Sequence, residues 1–329
     1  MAANEQSPVF LLTFANEQPQ SAYYLRNLAQ ELSRLRSTLE QERAPYQLVF
    51  YPNMTVEELL RGLRTYRHRI ALLHYGGHSN SYSLLLQSAN GQPTVAHSGG
   101  LANLLAHQHG LHLLFLNGCA NAAQAQALLD AGIAVVVATS TLINDQVAMH
   151  FADHFYAALA ADATIAEAFD QAAAAVELCH GAASRNLYAT DDDGVTTAVP
   201  WQLFKRDKAA VAWRLSDLSN DPCWGLPPLP RLDLPAQPFR SLAWFRAAHA
   251  EIFFGRGQEI RTLYERIADP DGAPILLLYG QSGVGKSSLL DAGLLPRLAA
   301  EYMPYYVRRD RTLGLTQSLA AALCARTTN

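Results

Sequence analysis

Two short apolar runs, each halted by glycine and followed by a reactive side chain, constrain this chain more than any other feature. The first is Ile70-Ala-Leu-Leu-His-Tyr75-Gly-Gly with His78 next, and the second is His112-Leu-Leu-Phe-Leu-Asn117-Gly with Cys119 next. Runs of this length, rich in Leu and Ile and closed by glycine, predict buried strands. Residues 79–111 leave room for a crossover, so the two strands can be parallel neighbours. Parallel neighbours lie about 5 Å apart, and the loops at their C-terminal ends open on one edge of the sheet. A histidine and a cysteine would meet there, as a thiol nucleophile and its base require.

The alternation continues over the first 185 or so residues. Val9–Phe14 predicts a strand; Tyr24, Leu28, Leu32, Leu35 and Leu39 recur at helical spacing; Gln47–Tyr51 predicts a second strand. Thr55-Val-Glu-Glu58 is a capping box opening a helix with Leu59, Leu60, Leu63 and Tyr66 on one face. Asn90-Gly91 predicts a hairpin turn, and an Ala/Gln-rich helix follows Cys119. The strand Ala134–Ala138 comes next, then two helices, the second opened by the box Thr164-Ile-Ala-Glu167. Pro200-Trp-Gln-Leu-Phe204 predicts an edge strand, its proline at the start. The fold class expected is α/β, an α/β/α sandwich with a mostly parallel sheet.

Pro222, Pro227, Pro228, Pro230, Pro235 and Pro238 crowd one short segment, which can neither pair as a sheet nor coil as a helix. The expected organisation is a first domain over 1–207, a proline-rich linker over 208–240, and the beginning of a second α/β domain over 241–329. No internal repeat of 20–50 residues is present.

Net charge is −4, so no direct nucleic-acid partner is expected, and the short basic stretch Tyr306–Arg311 reads as a solvated face. The four cysteines are scattered without a CxxC pair, which suggests neither a zinc site nor a disulfide framework. The first residues lack a secretory pattern and no apolar run approaches the roughly 20 residues that span a bilayer. The expected location is cytoplasmic, with no membrane partner and a reduced thiol.

Gly280-Gln-Ser-Gly283-Val-Gly285-Lys286-Ser287 matches the phosphate-loop pattern GxxxxGK[ST] at every fixed position. A predicted strand, Pro274-Ile-Leu-Leu-Leu-Tyr279, precedes it and a helix begins at Ser288. Backbone N–H groups freed by the glycines and the helix N-terminus would face phosphate oxygens. Lys286 would reach the β- and γ-phosphates, and the Ser287 hydroxyl would ligate the Mg²⁺ of bound ATP. No apolar strand ending in an acidic residue follows, so the chain reads as truncated, binding ATP with Mg²⁺ but hydrolysing it poorly.

A thiol attacks as thiolate, which a neighbouring imidazole generates near neutral pH. Gly76, Gly77 and Gly118 would let substrate backbone approach and expose N–H groups to an oxyanion. Cys119 alone also fits a small buried residue, and His74 with His78 and Cys119 also fits three metal ligands. The metal reading is weakened because a strand end before Gly-Gly is not helical and no fourth ligand is evident. His107, His109 and His112 read as loop and surface residues.

His74-Tyr-Gly-Gly-His78 followed by Leu116-Asn-Gly-Cys119-Ala resembles the CHAT family of caspase-like cysteine proteases, related to caspases, separase and metacaspases. The resemblance covers roughly residues 8–180, including Ala131–Thr139 and Ile143–Ala148. It implies that His78 is the base, that Cys119 is the nucleophile, and that backbone N–H groups of Ser79 and Cys119 hold the oxyanion. Ser79 stands where the family usually has glycine. Asn117 stands where metacaspase-type enzymes carry an acid, so a preference for Arg or Lys at the scissile residue does not follow. Asn117 and Asp145 are candidate pocket residues, though Asp145 fits better as the N-cap of the next helix.

Phe253-Phe-Gly255-Arg256-Gly-Gln-Glu-Ile260 and Gly293-Leu-Leu-Pro-Arg297, flanking the phosphate loop, resemble the STAND class of signalling ATPases. That resemblance makes Arg256 a candidate nucleotide contact. Together the two resemblances imply a caspase-like endopeptidase gated by nucleotide, with a protein substrate, self-association on activation, a role in bacterial anti-phage defence, and an activating ligand that no residue here specifies. The alternative is a nucleotide-switched scaffold whose caspase-like domain is inactive.

Overall fold

Along the first strand, Phe10, Leu12 and Phe14 face one hydrophobic core and Val9, Leu11 and Ala15 face another. A strand apolar on both sides must be covered on both sides, and this one is. The computed structural model describes residues 7–324 apart from 42–43, 89, 186–199, 228, 231–233, 236–237, 240–242, 306 and 308–311. Of the basic stretch 306–311, only Val307 is among the described residues. The chain divides into two units, residues 1–225 and 226–329.

In the first unit, β1 (Val9–Ala15), β2 (Gln47–Tyr51), β3 (Ile70–Gly77), β7 (Leu113–Asn117) and β8 (Val135–Thr139) are parallel, in the order β2-β1-β3-β7-β8. β9 (Trp201–Lys205) closes the edge antiparallel to β8, as its leading proline predicts. β4 (Ser79–Asn80), β5 (Ser83–Gln87) and β6 (Pro93–His97) form a separate antiparallel sheet whose hairpin turns through Gly91.

Helices α1 (Leu28–Leu39), α5 (Asp145–Ala160) and α6 (Ile165–Arg185) cover one face of the main sheet. α2 (Val56–Thr65), α3 (Ser98–Leu105) and α4 (Ala125–Asp130) cover the other. The α/β/α sandwich read from the sequence is therefore the observed architecture. Both predicted capping boxes form: Thr55 Oγ1 accepts from Glu58 N at 3.1 Å, and Thr164 Oγ1 accepts from Glu167 N at 3.1 Å.

Three expectations change. α1 starts at Leu28, so Tyr24 lies in a loop, because the Asn16 amide pins Leu25 through both its N–H (2.9 Å) and its carbonyl (2.8 Å). Residues 208–225 pack with the first unit: Ala210, Val211, Trp213, Leu215 and Leu218 are buried in its core, the last on α7 (Asp217–Asn220). His112 is no surface residue, since its ring stacks on Trp213 and Nε2 lies 2.8 Å from the Ala210 carbonyl.

In the second unit, α8 (Gly257–Ala268) packs against the helical stretch that follows the phosphate loop. That stretch runs through α9 (Lys286–Ser288), a π-helical turn over Leu289–Leu294, and α10 (Leu295–Leu298). Residues 275–279, predicted as a strand, join no sheet among the described residues. Exposure alternates at 83, 37, 83, 37 and 83% from Ile275 to Tyr279, the period of an extended chain.

Candidate active site

Register places the two reactive residues. β3 pairs with β7 so that Gly76 stands opposite Asn117. His78 and Cys119 each lie two residues further on, so they leave adjacent parallel strands at the same level, with strands about 4.8 Å apart. Both are partly buried. No hydrogen bond joins them: among the described residues the Cys119 thiol has one polar contact, the Ile143 carbonyl at 3.9 Å.

The His78 ring is oriented from the backbone. Its Nε2 lies 2.5 Å from the Tyr23 carbonyl oxygen. A carbonyl only accepts, so Nε2 is the donor, and in the neutral ring this tautomer leaves the lone pair on Nδ1. The loop delivering Tyr23 is stapled at both ends, by Asn16 on Leu25 and by Asp145 on Asn27. Tyr75 fixes the far side of the histidine loop, its hydroxyl 2.6 Å from the His78 carbonyl and 2.7 Å from that of Leu85. Burial pushes the Tyr75 phenol far above its usual range and Cys119 adds to the rise, so it stays a neutral donor.

The histidine and cysteine loops are tied together by side chains that sequence reasoning passed over. Ser79 Oγ donates to the Cys119 carbonyl at 2.9 Å, and Ser81 Oγ donates to the Ala120 carbonyl at 3.3 Å. Asn121 has no solvent exposure. Its Nδ2 reaches Ser79 Oγ (3.0 Å), the Leu116 carbonyl (3.2 Å) and the Gly118 carbonyl (3.3 Å), while Oδ1 accepts from Thr139 N (2.7 Å). One amide therefore ties the start of β4 to the ends of β7 and β8. The signal was a polar residue two positions after the cysteine, at the end of an apolar strand. Nothing local distinguished it from a solvated loop residue.

Close contact between the loops explains Gly118. A Cβ there would fall 2.5 Å from the Gly77 carbonyl oxygen, with Ser79 Oγ nearer still. That glycine serves the packing of one loop on the other, not the approach of substrate. Ala120 adopts φ +51°, a left-handed conformation that costs a non-glycine residue about 1–2 kcal/mol. Its N–H bonds the Thr141 carbonyl at 3.1 Å and holds the turn at Cys119.

The Cys119 N–H meets no acceptor among the described residues. Leu85 N donates to the His78 carbonyl at 2.9 Å, a register in which the Ser79 N–H points away from β5. Both N–H groups named from the sequence are thus left off the ladders.

The two candidate pocket residues are used elsewhere. Asn117 shares its strand face with Phe115, under α1 and α5, and is 4% exposed. Its Nδ2 donates to Glu31 Oε1 (2.7 Å) and the Ala148 carbonyl (3.1 Å), and its Oδ1 accepts from Trp201 Nε1 (3.3 Å). Asp145 is the first residue of α5, whose N-cap is Asn144, and its carboxylate accepts from Asn27 N (2.7 Å) and Nδ2 (3.0 Å). It acts on the loop that carries Tyr23.

His74 is fully buried, its Nδ1 3.1 Å from the Tyr156 hydroxyl. Its Nε2 lies 3.2 Å from Glu31 Oε1 but is not aligned for a hydrogen bond. Burial raises the Tyr156 phenol well above its usual range, and Glu31 adds to it. This network lies beneath the sheet edge, so a metal shared by His74, His78 and Cys119 does not fit the site.

In the second unit the phosphate loop is formed by its own residues. Gly283 and Gly285 take φ +86° and +89°, open to glycine alone without strain. Lys286 Nζ donates to the carbonyls of Gly280 (2.8 Å) and Gln281 (2.7 Å), curling over the loop. Arg256 reaches the same loop, donating to the Val284 carbonyl at 3.1 Å while pairing with Glu259 at 2.7 Å. Ser287 is exposed at the helix start. These donors fit a phosphate group.

Family comparison places the CHAT domain on residues 2–189 and the novel STAND NTPase 1 domain on residues 238–323. No curated protein matches the chain. Among solved structures, it is similar to a secreted C11 cysteine protease from Bacteroides thetaiotaomicron in complex with an irreversible peptide inhibitor. The identity is 11%, over 66% of this chain and 68% of that one, with a TM-score of 0.42. It is also similar to the complex of Porphyromonas gingivalis RgpB pro- and mature domains (13% identity, 63% of this chain, 49% of that one, TM-score 0.40). The Drosophila initiator caspase Dronc matches at 10% identity over 61% of this chain and 81% of that one, TM-score 0.36. The chain spans about half the length of the gingipain structures it matches, 45 and 49%. Because the CHAT match takes in more than half of the 329 residues and includes both loops of the site, this chain belongs to the CHAT-domain family.

Proposed function

We propose that the first unit is a cysteine endopeptidase acting on a protein substrate. The observation that carries this is the level placement of His78 and Cys119 on adjacent parallel strands, with His78 Nε2 committed to the Tyr23 carbonyl. That commitment leaves Nδ1 as the nitrogen able to take the thiol proton. The Cys119 sulfur then bonds to the peptide carbonyl carbon, and the N–H groups of Cys119 and Ser79 hold the oxyanion. The C–N bond breaks as the imidazolium returns its proton to the leaving amine. Water hydrolyses the remaining thioester with His78 as base. The thiol contact to Ile143 gives way to His78 when substrate enters, since catalytic hydrogen bonds tighten in the complex.

The second unit, in this reading, binds ATP through Gly280, Gly283, Gly285, Lys286 and Ser287, with Arg256 alongside. Mg²⁺ would sit between nucleotide and the Ser287 hydroxyl, and nucleotide state would gate self-association of the peptidase units. A cytoplasmic role in anti-phage defence fits that arrangement. Incubation with a peptide carrying an electrophilic warhead, followed by mass spectrometry, tests the peptidase reading. Modification confined to Cys119 and lost in His78→Ala is expected. Equal labelling of the exposed Cys179 would defeat it.

A further inference from the structure

We infer that the cleft beyond His78 is a subsite for the leaving-group side of a peptide substrate, and that Glu17 selects a basic side chain there. This rests on the peptidase reading above. The cleft measures about 560 Å³, within the roughly 300–1,000 Å³ of pockets that take a small molecule. It opens at the C-terminal ends of β1 and β2, between the first strand and the stapled loop that carries Tyr23.

Strand order decides which side of the scissile bond it serves. Along the sheet edge the order is β2, β1, β3, β7, so the cleft comes first, His78 second and Cys119 third. The base that protonates the leaving amine lies on the amine side of the nucleophile. A pocket beyond the base therefore meets residues after the scissile bond. The link is short: Tyr24 lines the cleft, and the carbonyl of its neighbour Tyr23 holds the histidine.

The lining decides the ligand. Phe14, Leu28, Leu32 and Pro52 give an apolar wall, while Tyr24 adds a ring. Glu17 is the sole charged residue lining the cleft, and it is half-buried. Its carboxylate makes no ion pair or side-chain hydrogen bond among the described residues. No Lys, Arg or His lines the cleft to neutralise it. A partly desolvated carboxylate over an apolar wall suits a side chain with an aliphatic stem and a cationic head. Arginine also stacks on an aromatic face.

The test uses peptides identical on the acyl side, with arginine, citrulline or glutamate placed in turn at the first three positions after the scissile bond. At one position arginine should exceed citrulline in kcat/KM by about tenfold, with glutamate lowest. Glu17→Gln should bring the arginine-to-citrulline ratio close to one. Equal handling of arginine and citrulline at all three positions overturns the inference, as does a preference that survives Glu17→Gln. Fluorescence anisotropy of the same labelled peptides on the Cys119→Ala chain reads the cleft without catalysis. Arginine-selective, Glu17-dependent binding by the Cys119→Ala chain, with no cleavage of any of these peptides by the parent chain, would keep the cation site and sink the peptidase reading. Neither binding nor cleavage would sink both.

Discussion

Residues 113–117 and residues 275–279 are comparably apolar, and each leads into a reactive loop. In the first unit every one of those residues is buried between two paired strands. In the second, Ile275, Leu277 and Tyr279 are each 83% exposed. The loops above them differ in kind. The Cys119 loop is held by partners on other strands, through Ser79, Asn121 and Thr141. The phosphate loop is held mainly by itself, through glycine backbone angles and Lys286 folded onto its own carbonyls, with Arg256 adding one bond from outside at the Val284 carbonyl. A nucleophile must meet a base from another strand, so its position depends on the sheet. The bonds that shape the second loop come from residues close to it in sequence, so its form depends less on the neighbours of residues 275–279.

The strongest test of that contrast is chemical. Cys119→Ala and His78→Ala should each lower peptide cleavage by at least about 10³-fold, and the double variant should fall little further, because the two act as one unit. Undiminished cleavage in either single variant would break the assignment, and with it the idea that the sheet edge holds the working pair.

Removing the clamp comes next. Asn121→Ala strips partners from the buried Thr139 N–H and from the Ser79 hydroxyl, so urea unfolding should report a loss of about 2–4 kcal/mol. Cleavage should fall as well at concentrations where the variant is still folded. A variant as stable and active as the parent would mean that the two loops are held by something other than this amide.

For the phosphate loop, Lys286→Ala should weaken Mg²⁺-ATP binding by about tenfold or more in titration calorimetry. Phosphate release should stay near background in the parent, because no described strand of the second unit carries a carboxylate toward the loop. Rapid Lys286-dependent turnover would erase the difference drawn here between the two units.

The smallest effect expected is with pH. Burial holds His112 below its usual pKa, and burial followed by His180 does the same for His150. Each folded pKa lies below the unfolded value near 6.5, so both are neutral in either state above that pH. As pH falls through 6.5 the unfolded chain takes up protons first, and stability drops. The first unit's Tm should therefore decline between pH 7 and 5, less steeply in His112→Gln. A slope unchanged by that substitution would remove His112 from the account.

Much of this fold was legible because its strands are apolar on both faces and its helices carry capping boxes. Period and punctuation sufficed for β1, β3, β7, β8 and the Gly91 hairpin. His78 and Cys119 could be placed opposite each other from strand ends alone. Asn121 escaped because its partners are 3 to 42 positions away in sequence and meet only after three strands are in register. Asn117 misled because strand parity turns it inward with Phe115, a fact that depends on which face α1 and α5 cover. Residues 275–279 keep the two-residue period of an extended strand, but an apolar run encodes readiness to pair and not the neighbour, and none pairs with them among the described residues.

The group that orients His78 is a peptide carbonyl, while the Tyr23 side chain is 74% exposed. Substitution at position 23 therefore leaves the acceptor in place whatever residue is inserted. The constraint on inheritance falls instead on Asn16, Asn27 and Asp145, which fix the backbone path. Drift at Tyr23 should be free and drift at those three costly. An ester in place of the peptide linkage between Tyr23 and Tyr24 would weaken the acceptor without altering any side chain, and an ester between Ser21 and Ala22, which weakens the acceptor of the Tyr24 N–H (3.2 Å) instead, is its control.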